Sequence, residues 1–483
     1  METSHLKRSN LLLFAALIIS GCTVGPSYHR SSVTTPSSFK ESADWKVAQP
    51  SDTLPREGWW LLYGDSVLDS LEGRVVISNQ SIAAACAQYR EARAMVTSAK
   101  AGYFPTASAQ GSYAREQSSS NAGTAGKIVA AQAVSAPVIS DYLLEGSVSW
   151  EPDLWGRVRR TVEASRATAQ ASAADLAAVT LSMQAALAQD YFALRVADVQ
   201  KRLLDSTVLV YKKFLDLTKL RDEQGIASQS DVMAAQTQLT SAQAQEIDIG
   251  VMRSQLEHAI ATILGQPASL FALSTDTMPI RIVVPPPELP SVLLERRPDV
   301  AAAERAVAAA NAQIGVVKAA YYPNITLNAA GGWESSQLSN WLSWPSRLWS
   351  FGGGAAEELF TGGLRGAALD AAKAAYDAQV ANYRQTVLAA FENVEDNLAA
   401  LRIYEREAVT QDQAVSAAAR STSIEIDQYK QGIVSALNVI QTQTIEFTNR
   451  EAAVAILGKR ISASVMLIEA IGGGWSPDSL KKL

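Results

Sequence analysis

The sequence predicts a protein of mixed class, in which membrane β-strands are continued by long α-helices, and builds it as a tandem repeat. Three observations carry this: a gapless self-match, two short alternating stretches in each copy, and very long helical runs without breakers. Residues 79–105 align with residues 297–323 at an offset of 218. Both segments are Ala-rich, and both end in Lys, Ala, a small residue, two aromatic residues and Pro (Tyr103-Phe104-Pro105 and Tyr321-Tyr322-Pro323). Leu154-Trp155-Gly156 is echoed by Phe360-Thr361-Gly362 at offset 206, and Gly225-Ile226-Ala227-Ser228 by Gly432-Ile433-Val434-Ser435 at offset 207. Self-similarity at this scale sets the architecture before any single residue does. The shorter offset after the first marker leaves about 12 extra residues in the first copy; the Ser/Ala/Gly-rich stretch Glu116 to Asp141 is expected to hold them as a loop.

The N-terminus reads as a secretory signal over residues 1–21: Lys7 and Arg8 flank a nine-residue apolar core, Leu11 to Ile19, followed by small residues. That core is too short for a membrane helix, which needs about 20 residues. Ile19-Ser20-Gly21-Cys22 resembles a bacterial lipobox, which implies cleavage before Cys22 and acylation of its thiol. Thr23 after the cysteine, rather than Asp, implies by the same resemblance sorting to the outer membrane. An ordinary signal peptide with an incidental cysteine is the alternative. Later residues hold no long apolar stretch, so no transmembrane helix is expected. Cys86 has no partner once Cys22 is acylated, so no disulfide is expected. A net charge of −6 argues against nucleic acid.

The first repeat is placed at residues 79–265, after an N-terminal segment (22–78). It opens with a helix and passes to a β-hairpin (106–151). From Thr106 to Tyr113, Thr, Ser, Gln and Ser alternate with Ala, Ala, Gly and Tyr; Leu144, Gly146, Val148 and Trp150 interleave with polar residues. The second repeat (297–470), reached by a Pro-rich linker (266–296), repeats the pattern after Pro323, with a hairpin over 324–360. Its last strand, around Arg347 to Leu359, is interrupted by Gly352-Gly353-Gly354. Period-two alternation fits half-buried strands, and their length and terminal aromatics (Tyr113, Trp150, Trp333) fit a membrane barrel with interface aromatics. A sheet in a water-soluble domain would alternate similarly. Four strands cannot close a barrel, and open edges cannot sit in hydrocarbon, so association of identical chains is expected.

Gly156 to Arg221 then runs 66 residues without Pro or internal Gly, roughly 100 Å of helix. In the second copy Val387, Phe391, Val394, Leu398 and Leu401 form a heptad seam. Gly225 and Gly432 punctuate the helical runs and mark helix–turn–helix tips before Asp231 to Leu264 and Leu437 to Ala470. Residues 471–483 form the C-terminal tail.

Several motifs, in this order, resemble the outer-membrane factors of Gram-negative tripartite efflux pumps, the TolC-like lipoproteins, over nearly the whole mature chain. They are Trp59-Trp60 with Tyr63-Gly64-Asp65, Tyr103-Phe104-Pro105, the run Trp150 to Arg157, Glu295-Arg296-Arg297-Pro298-Asp299, Tyr429-Lys430-Gln431-Gly432 and Gly472-Gly473-Gly474-Trp475. The resemblance implies a homotrimer with a twelve-stranded outer-membrane β-barrel, four strands per chain, continued by a periplasmic α-helical coiled-coil barrel closed at its tip. It also implies a periplasmic adaptor protein and an inner-membrane transporter of RND type as partners, with adaptor contacts at the Gly225 and Gly432 turns. Acidic residues ring the closed end in this family. Asp231 matches that position in the first repeat, whereas Asn438 and Gln441 stand in the second. This departure puts cation selectivity and acid gating in doubt. Asp231 reads equally as a helix N-cap, and Asn438 and Gln441 as solvated helix positions.

Nothing in the chain points to an enzyme or a cofactor. The three histidines, His5, His29 and His258, lie far apart, with no metal-ligand spacing. Gly352-Gly353-Gly354 lacks the Lys and Ser/Thr of a phosphate loop. Pro298 fits the first turn of a helix, giving the charged cluster around it a structural use. The expected function is a passive exit duct for small organic solutes, no Met- or His-rich tract pointing to copper or silver. A type I protein-secretion outlet and a non-conducting trimeric lipoprotein are the alternatives.

Overall fold

The computed structural model describes residues 23–42, 58–117, 138–276, 281–283 and 296–475. Its elements are α1 (Ser66–Ser78), α2 (Gln80–Ala101), β1 (Thr106–Gln117), β2 (Val138–Trp150), α3 (Arg157–Glu223), α4 (Gln229–Ile263), α5 (Pro298–Ala319), β3 (Asn324–Ser335), β4 (Arg347–Ala356), α6 (Leu364–Lys430) and α7 (Ala436–Ala470). The two copies match element for element. α2 and α5 have 22 residues each, α3 and α6 have 67, and α4 and α7 have 35. The long helices keep the offset of 207 from their first residue. Gly156 therefore corresponds to Gly363, both in the left-handed region directly before a helix. The alignment of Gly156 with Gly362 was one residue out, because glycine pairs (Gly362, Gly363) hide the register.

The chain divides into two compact units that cut across both repeats. The first comprises Met1–Arg30, Glu91–Ala169 and Ala306–Val380, and holds the sheet. Its four strands are antiparallel in the order β1-β2-β3-β4, so β1 and β4 are its edges. Thr106 pairs with Ser149, Trp150 with Leu327, and Asn324 with Ala356 at one end. Two expectations are corrected here. The loop proposed over Glu116 to Asp141 is shorter, since β1 reaches Gln117 and β2 begins at Val138; the stretch between lies outside the described residues. The strands also were expected to be half-buried, yet every residue of β1 is exposed within one chain. Among the described residues no second layer covers the strand, so its alternating pattern has no apolar partner there.

The second unit comprises Ser31–Arg90, Gln170–Arg305 and Ala381–Leu483. Its core joins Trp59 and Tyr63 of a single 3₁₀ turn, Leu68 and Val75 of α1, Tyr191 and Leu194 of α3, Ile260 of α4, and Ile461 and Ile468 of α7. The heptad seam is real packing: Val387, Val394, Leu398 and Leu401 are buried, and Phe391 carries Phe39 edge-on at 6.4 Å. One 18-residue stretch of α3 reaches a mean hydropathy of 1.3, enough by length and composition to cross a membrane, against the expectation of no such segment. Ala185, Leu187 and Ala188 of the same helix are fully buried in the core, while 28% of the stretch as a whole is buried within this chain.

The segment after α4 is tied down by charge. Arg195 Nη1 donates to Asp198 (3.1 Å) and to the Ser274 carbonyl (2.8 Å). Arg253 donates to Asp198 (2.9 Å) and to the Leu273 carbonyl (2.6 Å). Asp198 thus neutralises two guanidinium groups at a buried site. Removing one member of such a network leaves uncompensated buried charge. Asp198→Ala is expected to destabilise the protein by about 3–5 kcal/mol, read as a lower denaturant midpoint at unchanged slope.

Glu72 of α1 is buried, and among the described residues neither of its carboxylate oxygens has a hydrogen-bond partner. Burial pushes its carboxyl up to about 9 from 4.5. Between these values the folded chain holds a proton that the unfolded chain releases, so stability is full below about pH 4.5 and falls as pH rises towards 9, by up to about 1.4 kcal/mol per pH unit. Glu72→Met is expected to remove this slope: denaturation at pH 4 and pH 8 should show the variant gaining on the parent only at the higher pH.

Candidate channel sites at the helix tips and the sheet rims

The tip turns are built identically in both repeats. Gly225 N–H donates to the Asp222 carbonyl and Ile226 N–H to that of Arg221, both at 2.8 Å; Gly432 N–H donates to Tyr429 and Ile433 N–H to Gln428, both at 2.9 Å. These paired bonds close a helix C-terminus around a residue of positive φ, here 72° and 80°, which only glycine adopts without strain. Ile226 and Ile433 follow each glycine and are exposed.

Beyond the turns, the copies diverge. Ser228 is the N-cap of α4 and forms a reciprocal capping box with Asp231: Asp231 N–H donates to Ser228 Oγ (3.2 Å), while Ser228 N–H and Oγ–H donate to Asp231 Oδ2 (3.1 and 2.8 Å). Asp231 is therefore the third helical residue, not the N-cap that its position at the start of the run suggested. In the second repeat Ser435 makes no side-chain bond to the backbone; its hydroxyl donates to Asn438 Oδ1 at 3.0 Å. Asn438 and Gln441 are exposed, one turn apart on α7.

A contact that the sequence did not reveal joins the two hairpins. Arg221, in the last turn of α3, donates Nη1 to the Tyr429 carbonyl (2.5 Å) and the Lys430 carbonyl (3.3 Å) at the end of α6. Its guanidinium also lies 4.5 Å over the Tyr429 ring, which packs on Phe214 at 5.4 Å. A cation against terminal helix carbonyls satisfies orphan acceptors and complements the helix dipole. Below it, Tyr211, Leu215, Val232, Leu239 and Val439 form the tip core.

At the sheet, the predicted aromatics occupy two levels. Trp150 ends β2 and donates its Nε1–H to the Tyr103 carbonyl at 3.1 Å. Tyr113 lies directly opposite Tyr142, their rings 4.7 Å apart, eight residues up β2 from Trp150 and about 27 Å along the strand. Trp333 sits at the same far end, paired with Arg347. Trp344, Trp349 and Phe351 are also exposed there and along β4. Sequence reading passed over them, because Gly352-Gly353-Gly354 masks the alternation that Trp349 and Phe351 begin. At the near end, Glu151 pairs with Arg157 (2.8 Å) and Glu357 with Arg365 (2.6 Å), so both strand-to-helix turns are bridged by charge. Asp153 caps α3 by accepting from Val158 N–H and Arg159 N–H, both at 2.9 Å, which gives the Trp150 to Arg157 motif its local role. Cys22 lies outside the described residues.

The chain thus joins a four-stranded sheet to two 67-residue helices in a duplicated plan. The sequence profile of the outer membrane efflux protein family matches residues 73–266 and 289–473. The chain belongs to that family. It is 28% identical over 468 residues to the probable efflux pump outer membrane protein TtgC of Pseudomonas putida, covering 96% of this chain and 95% of that one. It is also 28% identical to the pyoverdine export outer membrane protein OpmQ of Pseudomonas aeruginosa, with 97% of each chain covered. Among solved structures, the outer-membrane channel OprN superposes with a TM-score of 0.87 at 27% identity, over 94% of this chain and all of that one.

The capping asymmetry has a measurable consequence. Ser228→Ala is expected to cost about 1 kcal/mol and Ser435→Ala a few tenths at most, read by denaturant unfolding of each variant. Arg221→Ala is expected to lower hydrogen-exchange protection at residues 425–432 about tenfold, and Arg221→Lys to restore it only in part, because an ammonium lacks the planar fork that spans two carbonyls.

Proposed function

We propose that this outer-membrane efflux protein acts as the passive exit duct of a tripartite pump. Three copies supply four strands each to a twelve-stranded barrel, and the paired long helices form the periplasmic conduit. A periplasmic adaptor docks at the Gly225 and Gly432 turns, where Ile226 and Ile433 are exposed, and an inner-membrane RND-type transporter supplies the energy. The observation that carries this reading is a four-stranded sheet with two open edges leading into 67-residue helices. Such edges are tolerable in hydrocarbon only when another copy pairs with them. Tyr113, Trp150 and Trp333 serve as interface aromatics, and acylated Cys22 anchors each chain to the membrane.

At the closed end Asp231, Asn438 and Gln441 line the constriction, with three carboxylates from the first repeat and neutral amides from the second. Opening separates the hairpins, and with them Arg221 from Tyr429. The relatives' names, which include pyoverdine export and antibiotic and toluene efflux pumps, support small organic molecules as the cargo.

Deleting the gene is expected to raise intracellular accumulation of dyes and antibiotics, with restoration by a plasmid copy. Unchanged accumulation together with one protein missing from the medium would point instead to polypeptide secretion. In planar bilayers the purified protein is expected to conduct, and Asp231→Asn to lower cation preference; a silent bilayer would contradict the duct.

A further inference from the structure

We propose that Arg160, Asn311 and the bare backbone at Gly156 and Gly315 form a receptor for the mature N-terminus, whose task is to fix the height of the acylated Cys22 against the end of β2. The height-setting role rests on the lipid-anchor reading given above; the receptor itself does not. Every residue involved belongs to the first unit.

Chain termini are ordinarily poorly ordered unless something ties them down. Here the first described residues are held by a set of directed contacts. Val24 N–H donates to the Trp155 carbonyl at 3.2 Å. Arg160 donates Nε–H to the Val24 carbonyl (3.2 Å) and Nη2–H to the Gly25 carbonyl (3.3 Å), while its Nη1 meets Glu163 at 2.8 Å. Asn311 Nδ2–H donates to the Pro26 carbonyl at 3.2 Å. Arg160, Asn311 and Val24 are all buried, with 6%, 5% and 9% exposure. A buried guanidinium stripped of two acceptors is costly, so the cleft is complete only with the strap in it.

The fit is also steric. A Cβ on Gly156 would lie 2.9 Å from Thr23 Cγ2, one on Gly25 would lie 2.6 Å from Gly315 Cα, and one on Gly315 would lie 2.9 Å from Arg160 Cδ. Three glycines from three segments thus let the strap, α3 and α5 approach closely. None of this is needed merely to tether a lipid.

The consequence follows from covalent geometry. Thr23 is seated on Gly156, in the turn that joins β2 to α3, and Cys22 is bonded to Thr23, its Cα about 3.8 Å from that of Thr23. The acyl chains therefore start at the rim of the sheet, at one depth. Released as far as Arg30, the eight-residue strap would let the anchor wander by about 15 Å, about half the thickness of the hydrocarbon core.

The test uses the full chain in detergent-solubilised outer membranes, where trypsin reaches the periplasmic side, with Cys86→Ser as background. Palmitate incorporation, trypsin cleavage at Arg30 and the fraction of heat-modifiable oligomer are measured together. Arg160→Leu and Gly315→Leu are expected to keep the palmitate label, to be cleaved about tenfold faster, and to lose at least half of the heat-modifiable oligomer. Asn311→Ala, the mildest change, should be cleaved about threefold faster. It keeps the test decisive if the leucine variants do not fold. A Gly-Ser-Gly insertion between Cys22 and Thr23 adds about 10 Å of slack outside the receptor; it should leave cleavage unchanged and still lower the oligomer fraction. Cleavage of all three substitution variants at the parental rate would overturn the receptor. Faster cleavage with normal assembly of the insertion variant would overturn the height-setting role. Absence of palmitate from the parent chain would remove the anchor reading and that role with it, while cleavage at Arg30 still reports on the receptor.

Discussion

An antiparallel sheet of four strands has two edges, and the architecture of this protein depends on what those edges do. β1 and β4 each present a row of backbone N–H and C=O groups with no partner strand among the described residues. In water, such an edge invites aggregation; in a membrane, each unsatisfied group costs several kcal/mol. The exposure of β1 at every position makes the same point for the side chains. The sheet is complete only as part of a larger closed one, and closure by identical chains ties oligomer formation to membrane insertion.

The duplication meets this constraint economically. Each copy contributes one hairpin and one long helical hairpin, and equality of the helix lengths (67 with 67, and 35 with 35) brings both tips to equivalent turns. Having fixed the lengths, the chain differentiates the ends. The first tip carries a charged capping box and the Arg221 guanidinium; the second supplies the carbonyls that Arg221 binds and a neutral Ser435–Asn438 pair. The tip is therefore pseudo-symmetric in backbone and asymmetric in charge.

Much of this was legible in the sequence, where periodicity and punctuation act locally. Long breaker-free runs gave helix ends within two residues, because Gly225 and Gly432 stop helices by their own conformational preference. Contacts that join distant segments were not legible. Arg221 looked like one more charge at a helix end, since its partners are main-chain carbonyls 208 and 209 residues away. Asp231 read equally as a gate residue and as an N-cap, because capping chemistry favours Asp at a helix start, whereas Ser228 holds the cap and Asp231 the third helical position. The extension of β1 through Glu116 and Gln117 was missed because polar residues carry no alternation when neither face is buried. The clasp around Val24 and Gly25 leaves no local signal at all, being made by an arginine, an asparagine and glycines that are unremarkable alone.

The central claim is that β1 of one copy pairs with β4 of the next and that the ring closes. Cysteine pairs placed along the two edges, at Ser108, Gln110 or Ser112 with Leu348 or Ser350, in a Cys86→Ser background, can be oxidised in intact outer membranes and resolved by denaturing electrophoresis. The account predicts that at least one pair gives covalent dimers and trimers, with nothing larger. Monomers from every pair, or a ladder extending beyond the trimer, would contradict it.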